Sequence, residues 1–594
     1  MKSSLQISAI CPRVGVADTK ANAKNIIKLF KLAVKKGAQI VMTPELSITG
    51  ATCGDLFLKP LLIDNALKAL NTILKETKKL NAVLIVGLPL QVMTQLVNVS
   101  AVLHKGKILG LVPAGICDEH YFTPAENLKY NGAFVFGKLI HFYPSTFKVF
   151  NTTFAVKTGL DVNAYIPPMP DNVEIILNPS LHYEYLGKQE KLKTTISIFS
   201  AIQNCIYVYA SSAFGESSAE AAYSANAFIY NKGTLVAEAP RLTMQEQIIT
   251  YKIGEKSKVQ PIKQKYQTDK KHPFSPSNKK ELLEVLDLQA LALARRLEQT
   301  KINKVILGIS GGLDSTLALL AAVHTFKKLN LPLKNIFAYT LPGLGTTAKT
   351  KNNAELLCKA LGVSFEEIDI KPAVLQHFKD IKHNKNIIDT AYENAQARER
   401  TQILFDISKK IGALVLGTGD MSEFALGWAT YGGDHLSMYG INAGLPKTLI
   451  QEIVAEYAKT APAKIAKVLK DILATPISPE LKPASKGKIT QKTEDLVGPY
   501  ILHDFFLYYF LVENLGPKEI YKIACQTFKD DFKKPEIKHW LEVFFKRFFS
   551  QQFKRSCSPE GPKILEVSLS PRTDLHLPSD ISPTLWLDEI KKLK

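Results

Sequence analysis

The sequence predicts two consecutive α/β regions, an N-terminal α/β sandwich and a C-terminal doubly wound parallel sheet. Residues 1 to 255 alternate short apolar strands with amphipathic helices, without equal repeats. Residues 281 to 594 begin with a similar alternation, and consecutive βα units imply a parallel sheet. Between the two regions, residues 256 to 280 are rich in lysine and contain three prolines, a composition typical of a linker.

The elements of the N-terminal region follow from their apolar spacing. Helices are predicted at about residues 22–36 and 61–80, and a hairpin is expected around Lys105 and Gly106. The predicted strands are LQISAI, AQIVMTPEL, AVLIVGLPL, the two strands of VSAVLHKGKILGLVP, FAVKTGL, VEIILNP, IYVYASSA and AFIYNKGTLVAEA. Because helices and strands alternate irregularly, we expect a layered sandwich rather than a repeat protein.

The C-terminal region contains regular βα units. The predicted strands lie at 305–309, 335–343, 363–370 and 413–419. The predicted helices lie at about 280–300, 316–326, 351–361 and 389–411. Since the carboxyl ends of parallel strands share one edge of a sheet, SGGLDS, LPG and GTGD should meet there and bind a ligand.

The composition is that of a soluble globular protein, with 46% hydrophobic and 22% charged residues. The chain lacks the apolar core of a signal peptide and any apolar run of about 20 residues, so we expect a cytoplasmic protein without a membrane span. Seven scattered cysteines without a CxxC pair indicate neither a zinc site nor a disulfide framework. We interpret the net charge of +20 as a solvated basic surface, because no nucleic-acid-binding motif accompanies it.

A glycine-rich stretch, SGGLDS, predicts an anion-binding loop between a strand and a helix. Backbone N–H groups and the helix N-terminus favour a negative ligand, and paired glycines let a phosphate approach closely. The aspartate suits such a loop if it holds a cation against the phosphates. The stretch is not a Walker loop and resembles the pyrophosphate loop of the ATP pyrophosphatases. That resemblance implies contacts with ATP from Ser310, Gly311, Gly312, Leu313, Asp314 and Ser315.

Further motifs lie near the same predicted sheet edge. Together SGGLDSTLAL, ENAQ, LGTGDMSEFALGWATYG, NAGLPKTLI, QFKRS and SPRTD resemble the NAD synthetases of the long, glutamine-dependent type. In that family the nicotinate carboxylate of deamido-NAD attacks the α-phosphate of ATP, and pyrophosphate leaves. Ammonia then attacks the mixed anhydride, which gives NAD and AMP. Cations must neutralise the mutually repelling carboxylate and triphosphate, and the adenylate must be kept from water.

The resemblance implies roles for individual side chains. Asp314 and Glu423 would bind magnesium and, with Lys447, form the predicted catalytic set. Leu341 and Thr418 would also contact ATP. Arg400 and Lys447 would neutralise phosphates. The predicted contacts with deamido-NAD are Asn394, Arg400, Glu423, Trp428, Tyr431, Asp434 and Lys554.

One stretch departs from the family pattern, and a second suggests a further element of the site. GGDHL, which contains Asp434, is about one residue shorter than in relatives of the family, so the role of Asp434 stays open. Residues 475 to 495 are polar and predict either a mobile loop that closes the site or an ordinary insertion.

The N-terminal region resembles the nitrilase, or carbon–nitrogen hydrolase, fold. The matching pieces are PEL with Thr49 and Gly50, the VLHKGKILGLVP hairpin, IPP at 166–168, and ILN with Gly187 and Lys188. The resemblance predicts an α/β/β/α sandwich ahead of the ATP-pyrophosphatase domain. It also implies a homo-oligomer with the nitrilase-like halves in its interfaces.

Nitrilases act through a Glu–Lys–Cys trio, of which this chain matches only the glutamate. The cysteine attacks the amide, the glutamate shuttles the proton, and the lysine stabilises the oxyanion. Glu45 matches the glutamate, whereas Ala114 stands at the lysine position and Gly159 at the cysteine position. We therefore predict a vestigial glutaminase, with ammonia as the direct nitrogen donor. Cys117, in ICDE, imitates the nucleophile but lies well before the expected position, in the lysine loop.

Several other functions remain compatible with the sequence. Glutamine could serve through a separate glutaminase or a relocated nucleophile, and nicotinate mononucleotide could replace deamido-NAD. An ATP pyrophosphatase that acts on another acid or on tRNA sulfur is a further alternative, although thiolation usually needs paired cysteines. A nucleotide-binding pseudo-ligase is disfavoured because Asp314, Glu423 and Lys447 are all retained.

Overall fold

The computed structural model describes residues 5–142, 146–159, 172–255, 268–346, 348–476, 481 and 493–593. The chain folds into two compact units. The first comprises Met1–Glu184, Lys188–Ser217 and Ala222–Lys265, and the second comprises Tyr185–Gly187, Ser218–Ala221 and Tyr266–Lys594. The division falls within the predicted linker. From Thr268 onward that segment packs in the second unit, where Phe274 and Ser275 are buried.

Over its described residues, the first unit contains three α-helices and two large sheets. Its helices are α1 (Thr19–Lys35), α2 (Pro60–Thr77) and α3 (Lys188–Ile202). Its strands are β1 (Gln6–Cys11), β2 (Ile40–Met42), β3 (Val83–Val92), β4 (Gln95–His104), β5 (Lys107–Pro113), β6 (Gly132–Val135), β7 (Lys138–His141), β8 (Thr146–Val149), β9 (Thr152–Val156), β10 (Ile175–Pro179), β11 (Ile206–Ala210), β12 (Ala227–Asn231), β13 (Thr234–Glu238) and β14 (Gln247–Lys252).

These elements form the predicted α/β/β/α sandwich. One sheet has the order β14-β1-β2-β3-β4-β5 and the other β13-β12-β11-β10-β9-β8. Successive side chains of a strand face opposite sides, and here both sides are buried. Ile7 of β1 packs in the core between the sheets with Leu177 of β10. Ile10, three positions further along β1, packs on the other face with Phe30 of α1.

The second unit is built on one sheet and is mainly helical towards its end. Its strands are β15 (Val305–Gly308), β16 (Ile336–Thr340), β17 (Ser364–Glu367), β18 (Leu414–Gly417) and β19 (Tyr439–Gly440). Its helices are α4 (Glu284–Thr300), α5 (Leu313–Lys328), α6 (Ala348–Leu361), α7 (Lys371–Asp380), α8 (Thr390–Ile411), α9 (Met421–Leu426), α10 (Lys447–Thr460), α11 (Ala463–Leu473), α12 (Thr493–Val497), α13 (Tyr500–Leu511), α14 (Pro517–Thr527), α15 (Lys534–Ser550), α16 (Gln552–Ser556) and α17 (Thr584–Lys591).

The sheet of the second unit is parallel throughout, which confirms the doubly wound prediction. Its order is β17-β16-β15-β18-β19. The strand order reverses beside β15, and such a reversal opens a crevice at the carboxyl ends of the strands. Among the described helices of both units, none combines the length and apolar character needed to cross a bilayer.

The helix after the glycine-rich loop begins earlier than its apolar spacing predicts. We expected a start at Thr316, whereas α5 begins at Leu313. Asp314 therefore lies in the first turn, where a carboxylate is favoured by the helix dipole. Polar residues in a first turn hide the apolar period, so the pattern alone could not locate this helix start.

Candidate active site

A cavity of about 610 Å³ lies at the carboxyl edge of the second unit's sheet. The ends of β15, β16 and β18 contribute to its wall, together with α8, α9 and the start of α10. The predicted site residues that line it are Ser310, Gly312, Leu313, Asp314, Ser315, Leu341, Asn394, Arg400, Thr418, Glu423, Trp428, Asp434, Lys447 and Lys554. Gly311 and Tyr431 are not part of the lining. Side chains far apart in sequence thus share one cavity.

The glycine-rich loop is held by hydrogen bonds within itself. The Ser310 backbone N–H donates to Ser315 Oγ at 3.3 Å, and the Gly312 N–H donates to Ser310 Oγ at 3.2 Å. Gly311 has φ +81°, and a Cβ there would lie 2.1 Å from the carbonyl oxygen of Thr350. Only glycine fits that position without a backbone shift, which explains the second residue of the motif.

Three carboxylates converge on one ammonium group at the start of α10. Lys447 Nζ lies 2.6 Å from Asp314 Oδ2, 2.6 Å from Asp420 Oδ2 and 3.0 Å from Glu423 Oε1. We call these four residues the carboxylate cluster. One oxygen of each acid lies within 4.8 Å of the others. Such a set of carboxylate oxygens matches the ligands that magnesium prefers.

Burial governs the electrostatics of the carboxylate cluster. Desolvation raises the pKa of Glu423 to about 7, although Lys447 opposes the shift. Burial likewise raises the pKa of Asp420 well above its ordinary range. Burial lowers the pKa of the Lys447 ammonium, but its three acidic neighbours outweigh that effect and hold the pKa well above the usual value. Lys447 therefore stays charged at neutral pH.

Asp504 of α13 fixes the start of α10. It accepts hydrogen bonds from the Thr448 backbone N–H at 2.9 Å, from Thr448 Oγ1 at 2.7 Å, and from the Ser422 hydroxyl. The Ser422 hydroxyl accepts from the Lys447 N–H at 2.8 Å. Because Asp504 joins α9 to α10, it positions both Glu423 and Lys447.

The wall beyond α9 is aromatic and cationic. The Arg547 guanidinium lies 5.3 Å from the centre of the Trp428 ring. Lys554 Nζ donates to the carbonyl oxygens of Gly427 at 2.7 Å and Ala429 at 2.8 Å. Lys554 therefore stabilises the turn that carries Trp428.

Tyr431 lies beside the cavity, in a small cluster with a histidine and a cysteine. It is 48% exposed and stacks on His435, with ring centres 5.0 Å apart. The Gly432 N–H donates to His435 Nδ1 at 3.0 Å, so the neutral ring carries its proton on Nε2. That atom lies 3.4 Å from Cys557 Sγ. The Phe553 ring also adjoins Tyr431, with ring centres 5.7 Å apart.

In the first unit, the Glu45 carboxylate is buried between two donors. Asn98 Nδ2 donates to Oε2 at 2.6 Å, and the Gly159 backbone N–H donates to Oε1 at 3.2 Å. Burial raises the pKa of Glu45 to about 7, although both hydrogen bonds oppose the shift. The three residues at the predicted trio positions thus lie together, since Ala114 also adjoins Gly159.

Backbone occupies the space that a cysteine side chain would need at position 159. Gly159 has φ +65°, and a Cβ there would lie 2.1 Å from the Ile116 carbonyl oxygen and 2.9 Å from Ala114 Cβ. Two backbone hydrogen bonds hold the segment from Ala114 to Ile116 in place. Gly115 N–H donates to Thr158 O, and Ile116 N–H donates to Gly159 O, both at 3.0 Å. The following residues 160–171, which include IPP, lie outside the described residues.

This segment also brings Cys117 near Glu45, although the two are distant in sequence. Its thiol lies 3.6 Å from the Phe122 carbonyl oxygen. Burial and the nearby charges of Glu119, Glu45 and Asp118 raise the pKa of the Cys117 thiol to about 11. A thiol with that pKa is almost entirely protonated at neutral pH and is a weak nucleophile.

Two family models divide the chain in the same order as the two units. The carbon–nitrogen hydrolase model matches residues 4–257, and the NAD synthase model matches residues 285–547.

Curated relatives match across both units. A glutamine-dependent NAD(+) synthetase of Mycobacterium tuberculosis is 32% identical over 669 residues, which cover 99% of this chain and 98% of the relative. The chain belongs to the glutamine-dependent NAD(+) synthetases. Its family members are carbon–nitrogen ligases, and ATP as a substrate is consistent with the family. The synthetase of Aquifex aeolicus is 26% identical, with 92% of this chain and 94% of the relative covered.

Solved structures show the same fold over the whole chain. A glutamine-dependent NAD(+) synthetase from Cytophaga hutchinsonii matches with a TM-score of 0.81 at 18% identity, covering 99% of this chain and all of the other. A synthetase from Acinetobacter baumannii, solved with ADP, matches with a TM-score of 0.64 at 20% identity. It covers 96% of this chain and 97% of the other.

Sequence reasoning missed three buried residues that organise this synthetase's cavity. Asp420 completes the carboxylate cluster, and Asp504 positions α10. Asn442 Nδ2 donates to the carbonyl oxygens of Asp314 at 2.8 Å and Thr418 at 3.3 Å, which joins α5 to the end of β18. Asp420 and Asn442 stand within GTGD and NAGLPKT, so the motifs contained the signal. Asp504 lies outside every motif.

The predicted polar loop at residues 475–495 is described only in part. Thr475, Pro476 and Leu481 line the cavity, and 477–480 and 482–492 lie outside the described residues.

The buried Glu45 predicts a pH-dependent contribution to stability. Because its pKa is raised to about 7 from 4.5, its contribution is fully present below the unfolded pKa and is lost as pH rises through 7. Glutamine at position 45 does not titrate. We therefore expect the melting temperature of Glu45→Gln minus that of the wild type to increase from about pH 5 to about pH 8.5.

Thermal unfolding across that pH range measures this difference. Glu76→Gln, at an exposed residue of α2 paired with Lys31 at 3.0 Å, is the control and should show a nearly constant difference. A constant difference for Glu45→Gln as well would mean that Glu45 does not titrate as its burial requires.

Proposed function

We propose that the protein amidates deamido-NAD with ammonia, at the expense of ATP, and that its own first unit does not hydrolyse glutamine. The second unit keeps the glycine-rich loop, the carboxylate cluster and a cavity lined by cations and an aromatic ring. The first unit has a glycine in the position of the nucleophile. The observation that carries the proposal is the Ile116 carbonyl oxygen 2.1 Å from where a Cβ of residue 159 would stand.

The cavity's own residues supply most of what the adenylation step needs. In the proposed reaction the loop from Ser310 to Ser315 binds the pyrophosphate part of ATP through backbone N–H groups and the α5 N-terminus. Arg400 and Lys447 offset the negative charge of the phosphates. Trp428 and Lys554 border the space for deamido-NAD, where stacking and a cation would orient the nicotinate carboxylate.

Magnesium fits the donors that the second unit presents. Asp314 and Glu423 each direct an oxygen to the same point, and Asp314 Oδ1 is buried without a hydrogen-bond donor among the described residues. When bound there, the ion would stabilise the charge of the departing pyrophosphate.

A relocated glutaminase based on Cys117 is the second candidate function, because this cysteine lies near Glu45. The surroundings of the thiol oppose it. The groups that shift its pKa are acidic, and both oxygens of Glu45 already accept hydrogen bonds. Ala114 offers no positive charge to an oxyanion. We therefore favour ammonia as the direct donor.

Steady-state assays with the two nitrogen sources test the proposal. Purified full-length protein with deamido-NAD, ATP and magnesium should form NAD with ammonium. With glutamine in ammonia-free buffer the rate should be at least about a hundredfold lower. Comparable rates with glutamine would contradict the proposal.

Cys117→Ala separates the two candidates if glutamine does support activity. Loss of the glutamine rate alone, with the ammonium rate unchanged, would identify a relocated nucleophile. Under our proposal this variant leaves both rates as they are. Cys53→Ala is the matched control, since the buried Cys53 thiol donates to the carbonyl oxygens of Thr49 and Gly50.

A further inference from the structure

The cation at the centre of the carboxylate cluster is a side chain of the protein, the Lys447 ammonium group. Lys447 Nζ lies at 2.6, 2.6 and 3.0 Å from oxygens of Asp314, Asp420 and Glu423. A magnesium ion bound by the same oxygens would lie about 2.0–2.1 Å from each of them. Ammonium and metal therefore need the same space, and only one of them can occupy it.

We propose that Lys447 is the resident counter-ion of a three-carboxylate cation site, that Asp420 is its third ligand, and that a divalent cation enters by displacing the lysine. This inference rests on the proposed ligase site and adds to it. It assigns a ligand that the family resemblance did not provide and a second position to the lysine.

The charges and burial of the cluster support an incoming divalent ion. When all three carboxylates are ionised, the ammonium leaves the cluster with a net charge of minus two, whereas a divalent cation in its place would leave minus one. Asp420 and Lys447 are 0% and 1% exposed, and uncompensated charge is costly at such depth. Asp314 Oδ1 is buried without a hydrogen-bond donor among the described residues, and Asp420 Oδ2 faces the Lys447 ammonium at 2.6 Å. Displacement of the lysine would leave both oxygens open to a metal.

A helix cap aims Asp420 and Glu423 at the same point. Asp420 Oδ1 accepts from the Glu423 backbone N–H at 2.8 Å, and Glu423 Oε2 accepts from the Asp420 N–H at 3.4 Å. This reciprocal capping box uses one oxygen of each side chain and directs the other to Lys447. Asp420 is thereby a fixed ligand, because its rotamer is set by the start of α9.

The cavity offers space for the side chain of the displaced lysine. Lys447 is the first residue of α10 and lines the cavity, and its backbone N–H stays bonded to Ser422. Its long side chain can turn from the cluster into the cavity without movement of the helix. There the ammonium would face the phosphates of the proposed nucleotide. Metal entry would thus release a positive charge for the triphosphate.

Binding of Mn²⁺ alone to the full-length protein tests the exchange without any catalytic step. Electron paramagnetic resonance measures free Mn²⁺ in the absence of nucleotide. Lys447→Met should bind Mn²⁺ at least about tenfold more tightly than the wild type, because the competing ammonium is gone. Adding Asp420→Asn to this variant should weaken binding at least about tenfold. Lys459→Met, which removes an exposed partner of Glu456 on the same helix, is the control and should match the wild type.

A second measurement on the wild type avoids dependence on the folding of Lys447→Met. Acetylation of Lys447 by acetic anhydride, followed by mass spectrometry, should accelerate severalfold when Mn²⁺ is added. The rate at Lys459 should stay the same. An unchanged rate at Lys447, or equal Mn²⁺ affinity in wild type and Lys447→Met, would overturn the exchange. If Mn²⁺ displaces Lys447 as proposed but the protein releases no pyrophosphate, that result would contradict the proposed function and leave the exchange in place.

Discussion

Replacing Asp314 with asparagine is expected to lower the rate of pyrophosphate release at least about a hundredfold, with the fold intact. Asp314 contributes a cluster oxygen 2.6 Å from Lys447 Nζ and a second, buried oxygen without a donor among the described residues. Asparagine keeps the shape but removes the charge that would attract a divalent cation. The α5 start should tolerate the change, because Gly312 and not Asp314 caps this helix.

The measurement is pyrophosphate release with saturating ammonium, alongside circular dichroism. Asp588→Asn is the matched control, since Asp588 also pairs with a lysine, Lys591 at 2.9 Å, but on the exposed surface of α17. The control should keep the wild-type rate. Full activity in Asp314→Asn would mean that the metal role is misplaced.

Replacing Gly159 with cysteine is expected to destabilise the first unit and to restore no glutaminase. A side chain at φ +65° costs about 1–2 kcal/mol, and the overlap with Ile116 adds to it. We expect a total loss of roughly 2–4 kcal/mol in the free energy of unfolding. The new thiol would also lack the oxyanion lysine, since Ala114 stands at that position.

Urea unfolding and glutamine hydrolysis measure the two effects. Gly115→Cys is the control, because a Cβ at Gly115 meets nothing within 4 Å and its stability should change little. The double variant Gly159→Cys, Ala114→Lys should remain inactive with glutamine, since the segment from Ala114 to Ile116 fills the space. Glutamine hydrolysis by either variant would show that the site has lost only its catalytic groups and is still open.

Local pattern predicted much of this protein because strands, loops and helix starts leave short-range signals. The alternation of apolar strands gave both layer architectures, and SGGLDS gave the loop at the sheet edge. The roles of the predicted site residues stay predictions, although most of these residues line one cavity. Motif matching also placed Ala114 and Gly159 at the predicted trio positions, and the two residues adjoin each other in the structure.

Other features depend on contacts between residues that are distant in the chain. Cys117 lies well before Gly159 in the sequence, yet a backbone pairing places its neighbour Ile116 against Gly159. Lys447 was expected to face phosphates, whereas it lies among three carboxylates. Asp504 has no motif around it, and only the packing of α13 against α9 and α10 reveals its role.

By itself, the sequence determined the order of the two α/β folds, and it predicted a glycine-rich loop at the sheet edge and the replacement of two trio residues by Ala114 and Gly159. These depend on residue type and local spacing, which the chain carries directly. Only the tertiary structure decided the partners of Lys447, the closure around Gly159 and the neighbourhood of Cys117. Each of these results from packing between residues that are distant in the chain. Burial brings Lys447 together with three carboxylates, and the Ile116 carbonyl oxygen occupies the space that a side chain at position 159 would need.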